Sequence, residues 1–455
     1  MIIQTVNPAT EEVLNEYHLL TEEQIEACID AAQVSFKVWK KTPFSQRKQL
    51  MLNLAKLLRD KKEELALLIA KEMGKPITSG KAEIEKCAWV CEHYAENAEH
   101  YLQPRPIQTE MKKTKVCYQP LGIVFAIMPW NFPFWQVFRF AVPALMAGNA
   151  AILKHAPIST GTGNKIAALF EEAGFPKHLF QHFVLDNDLA AKVIANNKIV
   201  AVTLTGSEKA GAAVASNAAE HLKKAVLELG GSDPYLVLHD ADLDLAAKAI
   251  VTSRLNNSGQ VCIAAKRILA VEPIHDKLVE KIKALMANYQ MGDPLDEKTN
   301  MGPMARDDLR KSLHEQVVKS VKSGAKLIEG GEIPKRKGFY YPPTLLLNVK
   351  KGMPAFDEEL FGPVLAVTKV KDEAEAIQMA NDTSYGLGAA VFTKDLARGE
   401  HIAQYEIEAG ACFVNALVAS DPRVPFGGIK RSGFGRELSK EGILEFVNTK
   451  AVAVN

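Results

Sequence analysis

From Gly122 onward the sequence alternates short apolar runs with helical stretches, and this alternation limits the fold more than any other feature. Five apolar runs are strand candidates: 123–127, 150–153, 182–185, 200–204 and 226–229. Helical patterns such as 163–173 and 188–196 lie between most of them. Strands alternating with helices form parallel βαβ units, which bind ligands at the carboxyl ends of the strands. A second α/β set is predicted from Tyr235 to about Val424. The sequence therefore predicts an α/β fold.

The remaining segments are helical or extended. At 455 residues the chain is too long for one core, so two or three domains are expected. The N-terminal part is predicted to hold a hairpin around residue 7 and helices over 21–40, 45–74 and 84–101. The first of these helices begins with capping-box spacing at Thr21. Segment 108–116 is predicted to be a protruding hairpin or an edge strand, and segment 445–454 is predicted to be an extended edge.

Composition excludes several classes of partner. The net charge is +1 and the basic residues are scattered, which argues against binding to nucleic acid. The most apolar run, 132–153, contains prolines, an arginine and amides, so it suits a buried segment better than a membrane span. The N-terminus lacks the charged-then-apolar pattern of a secretory leader. We expect a cytoplasmic protein with no nucleic acid and no membrane as partner.

The six cysteines form neither a CxxC pair nor a tight cluster with histidines. This spacing predicts a reducing compartment, no structural disulfide and no metal site.

One cysteine stands in a distinctive loop. Cys262 follows a polar, glycine-containing stretch, 256–261, and precedes an apolar run. A thiol is a strong nucleophile only as the thiolate, which needs access and a polar setting. A free cysteine is more often a small buried hydrophobe. The catalytic interpretation of Cys262 therefore needs a base, an oxyanion donor and an electron acceptor elsewhere in the chain.

Polar residues follow three of the predicted strands. Asn131 stands on a proline-stiffened loop, where its NH2 group could donate to a developing oxyanion; the alternative is an amide that satisfies the local turn. Lys154 comes directly after a buried strand and could bind ribose hydroxyls or phosphate. The alternative is a solvated lysine at the strand end. Gly206 and Ser207 begin a strand-to-helix turn that can receive an anion, although 205–211 matches neither the GxGxxG fingerprint nor a Walker A motif.

Glu228 lies in an apolar strand beside a diglycine. A carboxylate there is costly without a task or a partner, and desolvation raises its pKa towards the range of a general base. The alternative is a structural ion pair with a nearby lysine.

Together these motifs resemble the NAD(P)-dependent aldehyde dehydrogenase superfamily over essentially the full length, and within it succinate-semialdehyde dehydrogenases most. The resemblance is carried by Pro-Trp-Asn-Phe-Pro at 129–133, Leu-Thr-Gly-Ser at 204–207, Leu-Glu-Leu-Gly-Gly at 227–231, Gly-Gln-Val-Cys at 259–262, Glu-Glu-Leu-Phe-Gly-Pro-Val at 358–364, and Pro-Phe-Gly-Gly-Ile-Lys-Arg-Ser-Gly at 425–433.

The resemblance implies a role for each of these positions. Cys262 is the expected nucleophile. Asn131 and the Cys262 amide are expected to form the oxyanion hole, and Glu228 is expected to activate the water that hydrolyses the thioester. The cofactor residues implied are Lys154 and Glu359 on the two riboses, Ser207 at the pyrophosphate, Phe361 by the nicotinamide, and Pro129, Trp130, Ala156, Gly206, Gly211 and Leu229 around them. The reaction implied runs through a thiohemiacetal and a thioester on Cys262.

The resemblance also implies a domain organisation. A Rossmann-type cofactor domain is expected over 1–105 and 120–227, and an α/β catalytic domain over 228–436. A small β extension over 106–119 and 437–455 is expected to build a homodimer or homotetramer by exchange of extended edges.

One departure from the family pattern concerns the cofactor. NAD-selective relatives often have a glutamate three residues after the strand-end lysine, where it repels a 2′-phosphate; here that position is Pro157. Without this negative charge both NAD and NADP are expected cofactors.

Arg139 indicates the substrate. It lies in an aromatic, apolar segment, where a charge needs an anionic partner. Succinate-semialdehyde dehydrogenases have an arginine at that place that binds the substrate's distal carboxylate, and Ser420 matches a serine that assists it. The alternative is a structural ion pair. A second arginine of some relatives is here Asn256, so either the site is weaker or Arg423 supplies the missing charge.

These features favour oxidation of succinate semialdehyde to succinate. The alternative within the family is oxidation of uncharged aliphatic or aromatic aldehydes, with Arg139 serving only the fold. A CoA-acylating relative would normally lack Glu228, and a non-enzymatic member would be expected to lose Cys262, Asn131 or Glu228. None of the three is lost.

Overall fold

In the computed structural model, which describes residues 2–455, two large sheets form separate layers. The first sheet has six strands in the spatial order Gly433–Phe434, Lys224–Glu228, Ile199–Thr205, Ile123–Met128, Ala150–His155 and Phe180–His182. All neighbours are parallel except the edge strand Gly433–Phe434. The predicted parallel arrangement of this region is therefore confirmed.

The strand order of the first sheet reverses at one point. Ile123–Met128 comes first in the parallel set and has the second strand on one side and the fourth on the other. In open α/β sheets, ligands bind at such a switch point, outside the carboxyl ends of the strands. The loops that follow Met128 and Thr205 therefore border the crevice.

The second sheet has seven strands, in the order Lys326–Glu329, Thr344–Leu347, Val364–Val370, Arg267–Val271, Pro234–Val237, Gly388–Phe392 and Ala411–Val414. Only the edge strand Lys326–Glu329 is antiparallel to its neighbour. Each sheet is covered by helices and has its own buried apolar cluster.

Two smaller β elements lie outside the large sheets. Ile2–Val6 and Val13–His18 form the hairpin predicted near residue 7. Arg105–Ile107, Lys113–Pro120 and Val447–Val454 form an antiparallel sheet, which we call the terminal sheet; Lys113–Pro120 is its middle strand. Residues 108–112 connect Arg105–Ile107 to Lys113–Pro120 in a hairpin, so the hairpin alternative for 108–116 holds and the edge-strand alternative was wrong. Lys113–Pro120 is a middle strand because Val447–Val454, within the predicted segment 445–454, pairs with its other side as an edge.

The helices are Glu22–Trp39, Phe44–Asp60, Lys62–Met73, Ile77–Tyr101, Trp135–Met146, Thr160–Glu172, Asn187–Ala195, Glu208–Glu220, Leu243–Leu255, Glu272–Met286, Asp307–Lys322, Pro354–Asp357, Glu373–Asn381, Leu396–His401 and Ser439–Leu444. Thr21 and Gln24 form the predicted capping box. Among residues 2–455, no helix combines the length and the apolar character that crossing a bilayer requires.

Several predicted boundaries were wrong. The helical pattern predicted over 45–74 is two helices that meet at Lys61, and the strand predicted at 182–185 is Phe180–His182. The helix predicted from residue 84 begins at Ile77. Its first turns contain Gly80, which weakens a helical pattern in sequence but is needed in the fold. A Cβ at Gly80 would lie 3.2 Å from the Cβ of Ala66 on the neighbouring helix.

Candidate active site

The nucleophile loop is held rigidly by its own polar side chains. Asn257 and Ser258 both have left-handed backbone angles (φ 50° and 53°). Asn257 Nδ2 donates to the carbonyl of Asn131 at 2.8 Å, and Ser258 Oγ donates to the carbonyl of Gly302 at 2.7 Å. Gly259 has φ +74°, and a Cβ there would lie 2.2 Å from the carbonyl oxygen of Gly362. These buried polar residues fix the loop, a role that the sequence did not predict for them.

Cys262 is half-buried and lines a cavity of about 280 Å³. Burial raises the pKa of its thiol to about 11, and the positive charges of Lys266 and Arg139 oppose this rise. The setting is less polar than the sequence suggested, because apolar side chains such as Phe132, Val261 and Phe426 share the cavity wall. The resting thiol is protonated at neutral pH, so its activation requires a proton acceptor.

Asn131 contacts the nucleophile loop from the first sheet. It lies in the loop after Ile123–Met128, is 4% exposed, and its Nδ2 donates to the carbonyl of Gln260 at 3.0 Å. Gln260 Oε1 in turn accepts from the N–H of Ala305 at 2.9 Å. The amide of Asn131 is thus oriented two residues from Cys262, and Nδ2 carries a second hydrogen that can be donated.

Glu228 ends the strand Lys224–Glu228, and neither of its carboxylate oxygens has a hydrogen-bond partner within residues 2–455. Its pKa is raised well above the ordinary value, first by burial and then by the nearby carboxylate of Glu437. The ion pair with a lysine that the sequence left open is therefore not formed. A buried carboxyl with no partner and a raised pKa is poised to exchange a proton.

Two of the predicted cofactor residues lie at the end of the strand Ala150–His155. Lys154 is the fifth residue of this strand rather than the residue after it, because the strand continues to His155. Its ammonium is buried, has no ion-pair partner within residues 2–455, and has a pKa lowered by burial, with Asp186 opposing this. The N–H of Ala156 donates to the carbonyl of Met128 at 2.9 Å, which holds the two loops together.

The turn after Ile199–Thr205 leads into a helix whose N-terminus lies at the crevice. Ser207 is the N-cap of Glu208–Glu220, and its Oγ accepts from the N–H of Ala210 at 3.4 Å. The N–H of Gly206 donates to the carbonyl of Glu228 at 3.0 Å. Gly211 lets this helix pack on Leu229, since a Cβ there would lie 2.6 Å from that side chain. A helix N-terminus at this place suits a pyrophosphate.

Residues from the second sheet approach the same crevice. Trp130, next to Pro129, packs edge-to-face on Phe361 with ring centroids 5.8 Å apart. Glu359 Oε1 accepts from the N–H of Gly231 at 3.1 Å and from Lys266 Nζ at 2.7 Å. Lys266 also donates to the carbonyl of Cys262 at 2.6 Å, so it links the cofactor side to the nucleophile.

These groups fit a dinucleotide. The buried, unpaired Lys154, the free helix N-terminus at Ser207 and the close packing at Gly211 lie along the switch point of the first sheet. The structure therefore places Lys154, Ala156 and Ser207 together at the carboxyl ends of the strands of the first sheet.

Arg139 is on the cavity wall but already has a partner. Its guanidinium is ion-paired with Glu437, and both side chains are almost fully buried. It also lies 4.5 Å from the Phe426 ring centroid, and its Nη2 donates to Thr205 Oγ1 at 3.5 Å. The internal ion pair left open by the sequence is therefore present.

The two groups predicted to assist Arg139 lie in different places. Ser420 lines the same cavity, but its hydroxyl accepts from Lys86 Nζ at 2.8 Å. Arg423 is bonded to Asp421 and does not line the cavity, so it does not supply the charge missing at Asn256. Sequence reasoning missed Lys86, Lys266 and Glu437. Only their positions in the fold distinguish them from ordinary surface charges.

The sequence matches the aldehyde dehydrogenase family over residues 1–452. The chain belongs to this family. The predicted family and α/β fold class are therefore confirmed.

Similar proteins carry more specific names. The chain is 47% identical to an Escherichia coli (strain K12) succinate semialdehyde dehydrogenase [NAD(P)+], covering 98% of this chain and 97% of the relative. It is 45% identical to a probable succinate-semialdehyde dehydrogenase [NADP(+)] of Synechocystis, covering 99% of each. Among solved structures, succinic semialdehyde dehydrogenase from Streptococcus pyogenes with NADP+ superposes with a TM-score of 0.97, at 35% identity and 99% coverage of each chain.

The ion pair between Arg139 and Glu437 predicts how the free energy of unfolding changes in variants of the two residues. Arg139→Met leaves the Glu437 carboxyl buried without a counter-charge, so the free energy of unfolding is expected to fall by about 3–5 kcal/mol. The double variant Arg139→Met/Glu437→Leu removes both charges and is expected to recover most of this loss. Urea unfolding of the two single variants and the double variant measures these free energies. A double variant whose loss equals the sum of the two single losses would contradict the coupling.

Proposed function

We propose that this aldehyde dehydrogenase oxidises succinate semialdehyde to succinate with NAD or NADP as hydride acceptor. The observation that carries the proposal is the cavity beside Cys262, whose wall holds the cations Lys86 and Arg139, the hydroxyl of Ser420, and Glu83, which is already paired with Lys75. A four-carbon aldehyde with a distal carboxylate matches a cavity with a nucleophile on one wall and positive charge on another. The names of the relatives support the same substrate.

The first step is addition of the Cys262 sulfur to the aldehyde carbon. The thiol proton must leave, and we propose that water accepts it and carries it to solvent, so that Glu228 remains free for the later hydrolysis step. The resulting thiohemiacetal oxygen is negative, and the amide of Asn131 donates to it together with the Cys262 N–H. One well-placed donor of this kind is worth about 3 kcal/mol in the transition state.

A dinucleotide held by Lys154, Ser207 and Glu359 would supply the nicotinamide that takes up the hydride. The protein holds Cys262 and the oxyanion donors in place while the carbon becomes a thioester. Glu228 then takes a proton from water, the hydroxide attacks the thioester carbonyl, and succinate leaves as Cys262 regains its proton. Burial and the neighbouring Glu437 raise the pKa of Glu228 well above its ordinary value, so its base form increases as the pH rises.

The experiment that tests the proposal is a comparison of two four-carbon aldehydes. The kcat/KM for succinate semialdehyde should exceed that for butanal by at least about 100-fold, since only the first has the carboxylate. Assays with NAD and with NADP should both give activity. Equal values for the two aldehydes would favour the class of uncharged aldehydes, with Arg139 serving only its ion pair.

The position of Pro157 predicts the cofactor preference. It begins a short 3-10 turn, Pro157–Ser159, after the strand that holds Lys154, where a glutamate would repel a 2′-phosphate. Pro157→Glu is expected to lower kcat/KM for NADP by about 10–100-fold and to change that for NAD much less. Pro157→Gln is the matched neutral control. An unmutated enzyme with no NADP activity would contradict the argument.

We further propose that the three-domain division holds, that the protein is cytoplasmic, and that it forms a homodimer or homotetramer without nucleic acid. The terminal sheet supports the oligomer, because its edge strands Arg105–Ile107 and Val447–Val454 each have an unpaired side available to a second copy. Analytical ultracentrifugation tests this, and a monomer at micromolar concentration would contradict it.

A further inference from the structure

Lys86 lines the cavity of Cys262 from the helix Ile77–Tyr101. Its Nζ donates to Ser420 Oγ at 2.8 Å and lies 4.3 Å from the ring centroid of Trp135. All three residues line the same cavity. The ammonium is therefore held between an aromatic face and a hydroxyl, on the wall of the space next to the nucleophile.

The carboxylates near Lys86 are engaged elsewhere. Glu83 is ion-paired with Lys75, and its Oε1 accepts from the N–H groups of Phe134 and Trp135 at 2.9 and 3.0 Å. Asp421 is bonded by the guanidinium of Arg423. Within residues 2–455, Lys86 has no ion-pair partner of its own.

The surroundings of Lys86 disfavour its charge. Burial and, after it, the positive charge of Arg139 lower its pKa to about 8, while Cys87, Asp421 and Glu83 act in the opposite direction. Its ammonium form still prevails at neutral pH. An anionic ligand in the cavity would offset the cost of holding this charge.

Arg139 differs from Lys86 in this respect. Its charge is paired with Glu437 inside the fold, whereas Lys86 forms no ion pair with any acid among the described residues. A lysine presents three donors from one point, and Ser420 uses one of them. The other two hydrogens remain for a ligand.

We propose that Lys86, together with the Ser420 hydroxyl, binds the distal carboxylate of the substrate and so sets the selectivity for aldehydes that carry one. This inference rests on the proposed function. Some relatives have a second arginine where this chain has Asn256, and Arg423 does not replace it. Lys86 supplies that second positive charge instead. Arg139, which is paired with Glu437, is then not the main contact of the substrate carboxylate.

The test replaces Lys86 by methionine, which keeps the length of the side chain without the charge. Lys86→Met is expected to lower kcat/KM for succinate semialdehyde by about 10–100-fold, mainly through a higher KM, because a charge pair in the complex is lost. Butanal oxidation should be unchanged, and it serves as the folding control. Lys86→Arg keeps the charge and should retain most of the selectivity.

The outcomes separate this inference from the proposed function. If the unmutated enzyme does not prefer succinate semialdehyde to butanal, the proposed substrate is wrong. If the unmutated enzyme prefers it and Lys86→Met keeps the same preference, only the role of Lys86 is wrong.

The unmutated enzyme supplies a second test that does not depend on the folding of a variant. The ratio of kcat/KM for succinate semialdehyde to that for butanal should fall as the pH rises from about 7 to about 9.5, because Lys86 loses its proton in this range. Titration of Cys262 and Glu228 affects both aldehydes and cancels in the ratio. A ratio that stays constant in an enzyme that prefers succinate semialdehyde would overturn the assignment.

Discussion

Cys262→Ala is expected to abolish aldehyde oxidation, with a loss in kcat of at least about 10⁴-fold. Without the sulfur no thiohemiacetal forms, so the aldehyde carbon never bears the negative oxygen that makes it a hydride donor. The backbone of the loop should survive, because Asn257, Ser258 and Gln260 hold it through contacts that do not involve the thiol. The rate of reduced-cofactor formation measures the loss.

Binding of the dinucleotide is the control for Cys262→Ala. The cofactor crevice is built from Lys154, Ser207 and Glu359, none of which depends on the thiol, so the Kd should stay within about 3-fold. Quenching of tryptophan fluorescence can follow it, since Trp130 lies at the crevice against Phe361. Turnover within about 10-fold of the unmutated enzyme would remove Cys262 from the nucleophile role.

Glu228→Gln is expected to separate the two halves of the reaction. The amide has nearly the shape of the carboxyl but cannot accept a proton from water, so thioester hydrolysis should slow by about 10²–10⁴-fold. Hydride transfer should be much less affected. A burst of reduced cofactor, near one per active site, should therefore precede a slow steady state. A steady-state rate equal to that of the unmutated enzyme would exclude Glu228 as the base.

The pH dependence of this step follows from the raised pKa of Glu228. Burial and Glu437 favour the protonated form, so the deacylating base is depleted at low pH and grows as the pH rises through the folded-state pKa. In Glu228→Gln this rise of the hydrolysis rate with pH should disappear.

The sequence singled out the proposed catalytic positions because local chemistry marked them. The prolines around Asn131, the diglycine after Glu228 and the polar loop before Cys262 are all unusual within short windows. The alternation of strands and helices placed the first two windows at the carboxyl ends of parallel strands of the first sheet. Each of these three residues could therefore be singled out from its neighbours in the sequence, without knowledge of its contacts in the fold.

The charges around the substrate cavity could not be predicted in the same way. Lys86 stands on an amphipathic helix, where a cavity-facing lysine and a solvated one have the same pattern in sequence. Glu437 follows Arg139 by nearly 300 residues along the chain and meets it only because the segment after Gly433–Phe434 returns to the first sheet. Arg139 was noticed as a charge that required a partner, but its partner could be identified only in three dimensions.

The measurement that tests the central claim most directly is the mass of the enzyme trapped in mid-reaction. Glu228→Gln is mixed with succinate semialdehyde and NADP, quenched in acid during the burst, and digested for mass spectrometry. We expect a succinyl group on the peptide that contains Cys262, in an amount equal to the burst, and no such adduct in Glu228→Gln/Cys262→Ala. Reduced cofactor formed in burst amounts without an acyl group on Cys262 would contradict the account.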